Sequence, residues 1–313
     1  MGVFFHAVAV FFHHLAEVRW TALGIALACH VVKLLFRARA WQNILRASYP
    51  QSRFRYRSAF GAYMAGVGVN SIAPARGGDL VKLYLVRHRL DEATYPTLAS
   101  TLAVETLFDF VVGGALVLWA LTLGVLPTHE AYSRIPTVDW KFFLRHERAT
   151  EIGLAVGLAA GVALFFWARR RARIFWAHLR LGFAILADRR RFFLGVVLPQ
   201  AISWVLRLAA LYFFLEAFRV HATIHNALLV QVVDSMSTLF PATPGGAGTK
   251  QGLIVVIFAK ESISSSLLLA FSVGANIAVT VTNLLLGLAS IGLMAKTLSF
   301  KRLRSHARAD QPA

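Results

Sequence analysis

Cysteine is nearly absent from the sequence, since Cys29 is the only one in 313 residues. An internal disulfide and a cysteine-rich metal site are therefore both excluded. Acidic residues are also scarce, because 15 aspartates and glutamates stand against 33 lysines and arginines. The chain contains no Walker-type phosphate loop and no GxSxG or HExxH arrangement, so nucleotide hydrolysis and the common hydrolase chemistries are not predicted. We expect a protein that is not an enzyme and that uses no metal or cofactor.

Long apolar runs occupy much of the chain. Hydrophobic residues make up 57% of it and the mean hydropathy is +0.60, whereas soluble domains are about 45–50% apolar. A helix of roughly 20 residues crosses a bilayer. Runs that approach or exceed this length lie at 18–36, 95–126, 152–168, 192–218 and 264–295. We therefore predict an all-α polytopic membrane protein with a single transmembrane domain over residues 1–313.

The charge pattern predicts how the chain crosses the membrane. A net charge of +18 indicates nucleic acid in a soluble protein, but here the basic residues lie between the apolar runs. This distribution is typical of the positive-inside rule and of contact with anionic lipids, so we predict the membrane as partner and no nucleic acid. Six arginines in 37–57, eight in 169–191 and five basic residues in 296–308 place these segments, and with them the C-terminus, on the cytoplasmic side.

Two other apolar segments, 58–85 and 226–258, are interrupted by proline and glycine. Each begins and ends on one side of the predicted membrane path, which indicates broken, re-entrant helices. The interruptions read SIAPARGG at 71–78 and TLFPATPGG at 238–246, and a lysine follows the last glycine by four residues in both. The two units start on opposite sides, so we predict two inverted repeats, a common transporter plan. Two independent kinks are the alternative.

The repeats predict the organisation of the chain. It consists of an interfacial helix (1–17), a first repeat (18–126), a linker with one span (127–191), a second repeat (192–296) and a cytoplasmic basic tail (297–313). The stretch 3–16 extends only ~21 Å at ~1.5 Å per residue, so we place it at the outer interface. A shortened spanning helix is the alternative.

Candidate anion-binding residues cluster at the two breaks. At the first break they are Asn70, Arg76, Gly77, Gly78, Asp79 and Lys82. At the second break they are Pro244, Gly245, Gly246 and Lys250. Glycines allow close backbone approach, and a helix that restarts after them points free N–H groups at the gap, which suits a headgroup phosphate. The alternative is that Arg76 and Lys82 anchor a hairpin at the interface.

Acidic residues within the apolar segments are the other candidates. Glu105 and Asp109 lie four residues apart and share one helix face. We expect them to pair with Arg76 or Lys82, to bind a cationic group or to carry a proton, and a purely structural ion pair is the alternative. Asp234 precedes the second break, and we predict a pair with Arg207 across helices. Asn276 and Asn283 are expected to hydrogen-bond between helices.

Four segments resemble the flippase-like membrane family related to the transmembrane region of lysylphosphatidylglycerol synthase. They are RAWQNIL at 39–45, NSIAPARGGD at 70–79, ETLFD at 105–109 and PATPGGAG at 241–248. The resemblance covers about 18–296 and implies a polytopic protein of a bacterial or archaeal-type inner membrane that moves lipid. The chain departs from the family at Asp79 and Gln251, where glutamate is usual, and at Lys82, where arginine is frequent. The departure at Gln251 puts in doubt any proton coupling or cationic headgroup that depends on that carboxylate.

These features together predict a translocase for an anionic phospholipid or a lipid-linked headgroup. A non-catalytic partner of a lipid synthase or glycosyltransferase is one alternative. An intramembrane lipid-modifying enzyme, with Glu105 and Asp109 as catalytic acids, is another.

Overall fold

The structure is a computed structural model that describes residues 17–52, 54–73, 77–90, 92–122, 180–237, 249–258 and 263–297. Within these ranges the regular structure is helical and contains no strand. In chain order the α-helices are α1 (Trp20–Ser48), α2 (Tyr56–Asn70), α3 (Gly77–Arg87), α4 (Tyr95–Thr122), α5 (Arg189–Ala217), α6 (Ile224–Ser237), α7 (Thr249–Ile257) and α8 (Ser265–Thr297).

Four of these helices, α1, α4, α5 and α8, are long and apolar enough to cross a membrane. Their candidate spans contain 26 to 30 residues. At ~1.5 Å per residue such helices exceed the ~30 Å of bilayer hydrocarbon. They confirm four of the five predicted spans. The fifth, at 152–168, lies outside the described residues, as do 1–16 of the predicted interfacial helix and 298–313 of the predicted tail.

The first span runs further than the apolar pattern indicates. The sequence predicts its end near residue 36, but α1 continues to Ser48. Arginine is a good helix former, so the basic run that follows the apolar residues does not end the helix. Trp41 and Leu45 in this extension are fully buried, and their packing against α2 and α3 holds the extra turns in place.

Large apolar side chains on the spanning helices point away from the protein. Phe110 on α4 is 74% exposed, Val205 on α5 is 67% exposed and Leu285 on α8 is 64% exposed. Large apolar side chains exposed on several spanning helices suit a lipid environment.

One π-helical turn, Phe193–Val197, interrupts α5. Pro199 follows it and has no N–H to donate to the carbonyl of Gly195, four residues earlier. This carbonyl instead accepts a hydrogen bond of 2.8 Å from Nδ2 of Asn43 on α1. The irregular turn therefore ties α5 to α1, along which it packs.

The first predicted break separates α2 from α3. The first of these helices ends at Asn70 and the second begins at Gly77, with residues 74–76 outside the description. The Oδ1 of Asn70 accepts a hydrogen bond of 2.7 Å from the backbone N–H of Gly78. The two backbones approach so closely that a Cβ on Gly78 would collide with the carbonyl oxygen of Gly66. Only glycine fits this contact.

The second predicted break separates α6, which ends at Ser237, from α7, which begins at Thr249. Residues 238–248 between them lie outside the described chain. Helices therefore end and restart where the sequence predicts, at both breaks. The re-entrant path, the inverted relation of the two helix pairs and the repeat boundaries stay predictions.

Two large apolar clusters and a smaller one hold the helices together. The largest joins parts of α1, α4, α5, α6, α7 and α8 around Leu215 and Ile254. The second joins α1, α2, α3, α4 and α8 around Trp41. At the contact of α2 with α8, a Cβ on Gly68 would lie 2.9 Å from the Cα of Gly287, so these glycines set the distance between the two helices.

Candidate functional site

A cavity of about 440 Å³ lies among all eight helices and takes lining residues from both large apolar clusters. Charged residues contribute much of its wall. The basic ones among the described lining residues are Lys33, Arg37, Lys82, Arg207 and Lys250. The acidic ones are Asp79, Glu105, Asp109 and Asp234. Ionisable groups between membrane helices are expensive to bury and are usually paired or face a polar cavity.

Arg37 on α1 joins the two carboxylates of α4. Its Nη1 and Nη2 donate to Oδ1 and Oδ2 of Asp109 at 3.0 and 2.6 Å, a bidentate pairing that fixes the guanidinium plane. Nη2 also donates to Oε1 of Glu105 at 3.2 Å, and Nε donates to the hydroxyl of Tyr63 at 2.8 Å. The hydroxyl in turn donates to Glu105 at 2.7 Å. Glu105 and Asp109 therefore point to the same side of α4, as their spacing predicts.

Lys82 on α3 completes this first cluster. Its ammonium donates to Oε2 of Glu105 at 2.7 Å, and the lysine is 4% exposed. The same nitrogen lies 4.1 and 4.5 Å from the ring centroids of Tyr63 and Trp41. The pair of Lys82 with Glu105, one of the pairings that the sequence predicts, is thus enclosed by aromatic rings that favour a cation.

Helix α5 contributes two further donors to this cluster. Trp204 donates from Nε1 to Oδ1 of Asp109 at 2.9 Å. Gln200 donates from Nε2 to the backbone carbonyl of Glu105 at 2.9 Å. The first half of the chain is therefore connected to α5 through polar contacts with α4.

A second cluster surrounds Asp234 on α6. Lys250, on the other side of the second break, lies 2.6 Å from Oδ1, and Arg207 on α5 lies 3.6 Å from Oδ2. The predicted pair of Asp234 with Arg207 is confirmed. The guanidinium of Arg207 also lies 5.2 Å from the ring centroid of Trp204, so the two clusters are neighbours along α5.

A chain of neutral hydrogen bonds connects three helices beside the clusters. Nε2 of His30 and Oδ1 of Asn283 are 2.8 Å apart, and Nδ2 of Asn283 donates to Ser71 at 3.1 Å. The interhelical role predicted for Asn283 is confirmed. For Asn276 the structure gives a bond within α8, accepted from Thr280 at 3.2 Å.

The remaining predicted site residues fall into two groups. Asn70 donates from Nδ2 to Asp79 at 3.1 Å, beside Gly77 and Gly78 at the start of α3. Both Asn70 and Asp79 line the cavity. The predicted residues Arg76, Pro244, Gly245 and Gly246 lie outside the described residues.

Several cavity residues are missing from the sequence prediction. Arg37 belongs to the basic run that sets the topology, and Lys33, Tyr63 and Trp204 carry no motif. The sequence of α1 contains one pattern that could have identified some of these cavity residues. His30, Lys33 and Arg37 recur at spacings of three and four residues, which is the period of one helix face, and all three line the cavity.

The family model of the lysylphosphatidylglycerol synthase transmembrane region matches residues 2–287. No curated protein and no solved structure matches the chain. With its apolar spanning helices, this is a multi-pass membrane protein. The match covers most of the sequence, so the chain belongs to the lysylphosphatidylglycerol synthase transmembrane region family.

Proposed function

We propose that the protein is a flippase-like translocase for an anionic phospholipid or a lipid-linked headgroup. The observation that carries the proposal is the charged cavity enclosed by helices whose outer faces are apolar. Moving a charged headgroup through hydrocarbon costs many kcal/mol, because nothing there replaces its hydration. In this proposal the headgroup occupies the cavity while the acyl or prenyl tails stay in the lipid.

The sign of the cavity supports an anionic substrate. Among its described lining residues, five are basic and four are acidic, which leaves an excess of positive charge. Its volume of about 440 Å³ falls within the range of about 300–1,000 Å³ that small-molecule sites occupy. A headgroup fits this space without the tails.

The two broken helix pairs support a mechanism of alternating access. The first ion-pair cluster holds α3 to α1 and α4, and the second holds α7 to α5 and α6. If the two pairs are inverted repeats, exchanging their conformations moves the opening of the cavity from one membrane side to the other. We place the C-terminus on the cytoplasmic side of a bacterial or archaeal-type cell membrane, from the basic residues of 296–308.

The proposal is tested by lipid movement in proteoliposomes. Fluorescent phosphatidylglycerol is placed in both leaflets, and its passage is followed by quenching from outside. Vesicles with the protein should move it faster than protein-free vesicles. Arg207→Gln should slow the movement by about tenfold, the loss expected for one charged hydrogen bond. Arg207 is chosen because its 3.6 Å ion pair is the longest in the cavity, so its loss should disturb folding least.

The matched control is Glu216→Gln, which neutralises an acidic residue in an exposed pair with Arg19, outside the cavity lining. This variant should move lipid at the wild-type rate. A folded wild-type protein that moves no lipid would overturn the proposal. Co-purification with a lipid synthase or glycosyltransferase would then favour the partner role, and turnover of a lipid-linked substrate would favour the enzyme.

A further inference from the structure

Lys33 on α1 differs from the other four basic residues of the cavity. Each of those lies 2.6 to 3.6 Å from a carboxylate oxygen: Arg37, Lys82, Arg207 and Lys250. Within the described part of the chain, Lys33 makes no hydrogen bond and no ion pair. A lysine in a cavity between membrane helices is costly to keep without an anionic partner.

The surroundings of Lys33 are positive. It lies one helical turn before Arg37 and on the same face of α1. The same cavity is lined by Arg207, Arg37, Asp234 and Lys250. Three of these four are positive, and the carboxylate of Asp234 is already held by two cations. Lys33 therefore lines the same cavity as both ion-pair clusters, where an added negative charge would be stabilised.

Helix α8 presents hydrogen-bond donors to the same cavity. Ser272 is 1% exposed, and its Oγ has no hydrogen-bond partner among the described residues. Asn276 lies one turn further on the same face and accepts from Thr280 through Oδ1. In the described structure its Nδ2 makes no hydrogen bond. Buried donors are normally satisfied, so an orphaned hydroxyl on a cavity wall indicates a missing acceptor.

We propose that Lys33 binds the phosphate of a singly charged phosphodiester headgroup, with Ser272 and Asn276 as donors to its oxygens. The inference rests on the proposed function and names the substrate class of that site. The described lining has one more positive than negative side chain, so one negative charge balances it. A zwitterionic headgroup would bring an ammonium into the same positive space, so it binds more weakly.

The binding test uses short-chain dihexanoyl phosphatidylglycerol, added to the purified protein in detergent. The readout is the fluorescence of tryptophan, because Trp204 lines the cavity. Lys33→Gln should weaken binding by about tenfold or more, while Lys33→Arg keeps the charge and should stay close to the wild type. The matched control Arg57→Gln removes one positive charge from an exposed position outside the cavity lining, and should leave affinity unchanged.

Three further arms make the result specific. Dihexanoyl phosphatidylcholine should bind more weakly than phosphatidylglycerol to the wild type, and this preference should vanish in Lys33→Gln. Inorganic phosphate should compete poorly, and tight Lys33-dependent phosphate binding would overturn the assignment to a lipid headgroup. The unfolding temperature of Lys33→Gln should equal that of the wild type or exceed it, because Lys33 has no described partner to lose. A lowered unfolding temperature with unchanged affinity would assign Lys33 a structural role and overturn the proposal.

The lipid-movement assay separates this inference from the proposed function. If the wild type moves phosphatidylglycerol and Lys33→Gln moves and binds it equally well, the inference fails while the translocase stands. If the wild type moves no lipid but binds phosphatidylglycerol through Lys33, the site stands while the translocase fails.

Discussion

The ion pair between Lys82 and Glu105 allows a quantitative prediction. Glu105 is 3% exposed and accepts from Lys82 at 2.7 Å, from Arg37 at 3.2 Å and from Tyr63 at 2.7 Å. Glu105→Gln removes the charge and keeps the shape. Arg37 then still has its bidentate pair with Asp109, but Lys82 loses its ion-pair partner. Leaving one charge of a buried pair without its partner costs about 3–5 kcal/mol.

Removing the cation of this pair should destabilise the protein less than removing the carboxylate. In Lys82→Met the carboxylate of Glu105 keeps Arg37 and Tyr63, and the methionine stem still packs against Trp41, so we expect a loss of about 1–3 kcal/mol. The double variant removes the orphaned ammonium together with the carboxylate. Its loss should therefore be smaller than the sum of the two single losses by about 1–3 kcal/mol.

The assay is thermal unfolding of the purified protein in detergent, followed by tryptophan fluorescence. At roughly 2–4 °C per kcal/mol, Glu105→Gln should lower Tm by roughly 6–20 °C. Glu216→Gln is the control, because its pair with Arg19 is exposed and such pairs contribute at most about 1 kcal/mol. If Glu105→Gln lowers Tm no more than this control does, or if the two single losses add, the reasoning about the buried pair is refuted.

Two further predictions concern the first break and the second cluster. Gly78→Ala should destabilise the protein by about 1–3 kcal/mol, because its Cβ meets the carbonyl of Gly66, whereas Gly24→Ala, with nothing within 4 Å, should be neutral or stabilising. Equal unfolding temperatures for the two variants would contradict the close approach. Asp234→Asn should lower Tm more than Lys250→Gln, because it leaves two cations without a carboxylate. The opposite order, measured by the same thermal unfolding, would contradict the reasoning that both cations depend on the carboxylate of Asp234.

The spanning helices could be predicted from the sequence because the thickness of the bilayer requires apolar runs of a minimum length, and such runs are visible in the composition. The residues at which these helices end could not be predicted. α1 continues through Arg37 and Arg39 to Ser48, because the helix end is decided by packing and not by where the apolar run stops. The breaks were predictable because proline and glycine act locally on the backbone.

The site was predictable at the two breaks, which gave Asn70, Asp79 and Lys250, and where charge sits in an apolar run. Glu105, Asp109 and Asp234 stand out for that reason, and their cationic partners Lys82 and Arg207 could be named from the same principle. Partners whose sequence neighbours give no such signal could not be found from charge in an apolar run. Arg37 looks like a topology signal, and the aromatic residues of the cavity look like any others in an apolar sequence. Which of them meet a carboxylate is decided by helix packing between residues far apart in the chain.

Helix α5 connects the two halves of the cavity. Trp204 donates to Asp109 of the first cluster, and Arg207, three residues later on the same face, pairs with Asp234 of the second. The ring and the guanidinium are themselves in contact, 5.2 Å from centroid to carbon. A rearrangement of either cluster therefore moves a side chain that the other cluster touches. Because each cluster holds one of the two broken helix pairs, the translocation that we propose predicts that a headgroup bound between the clusters would act on both pairs at once.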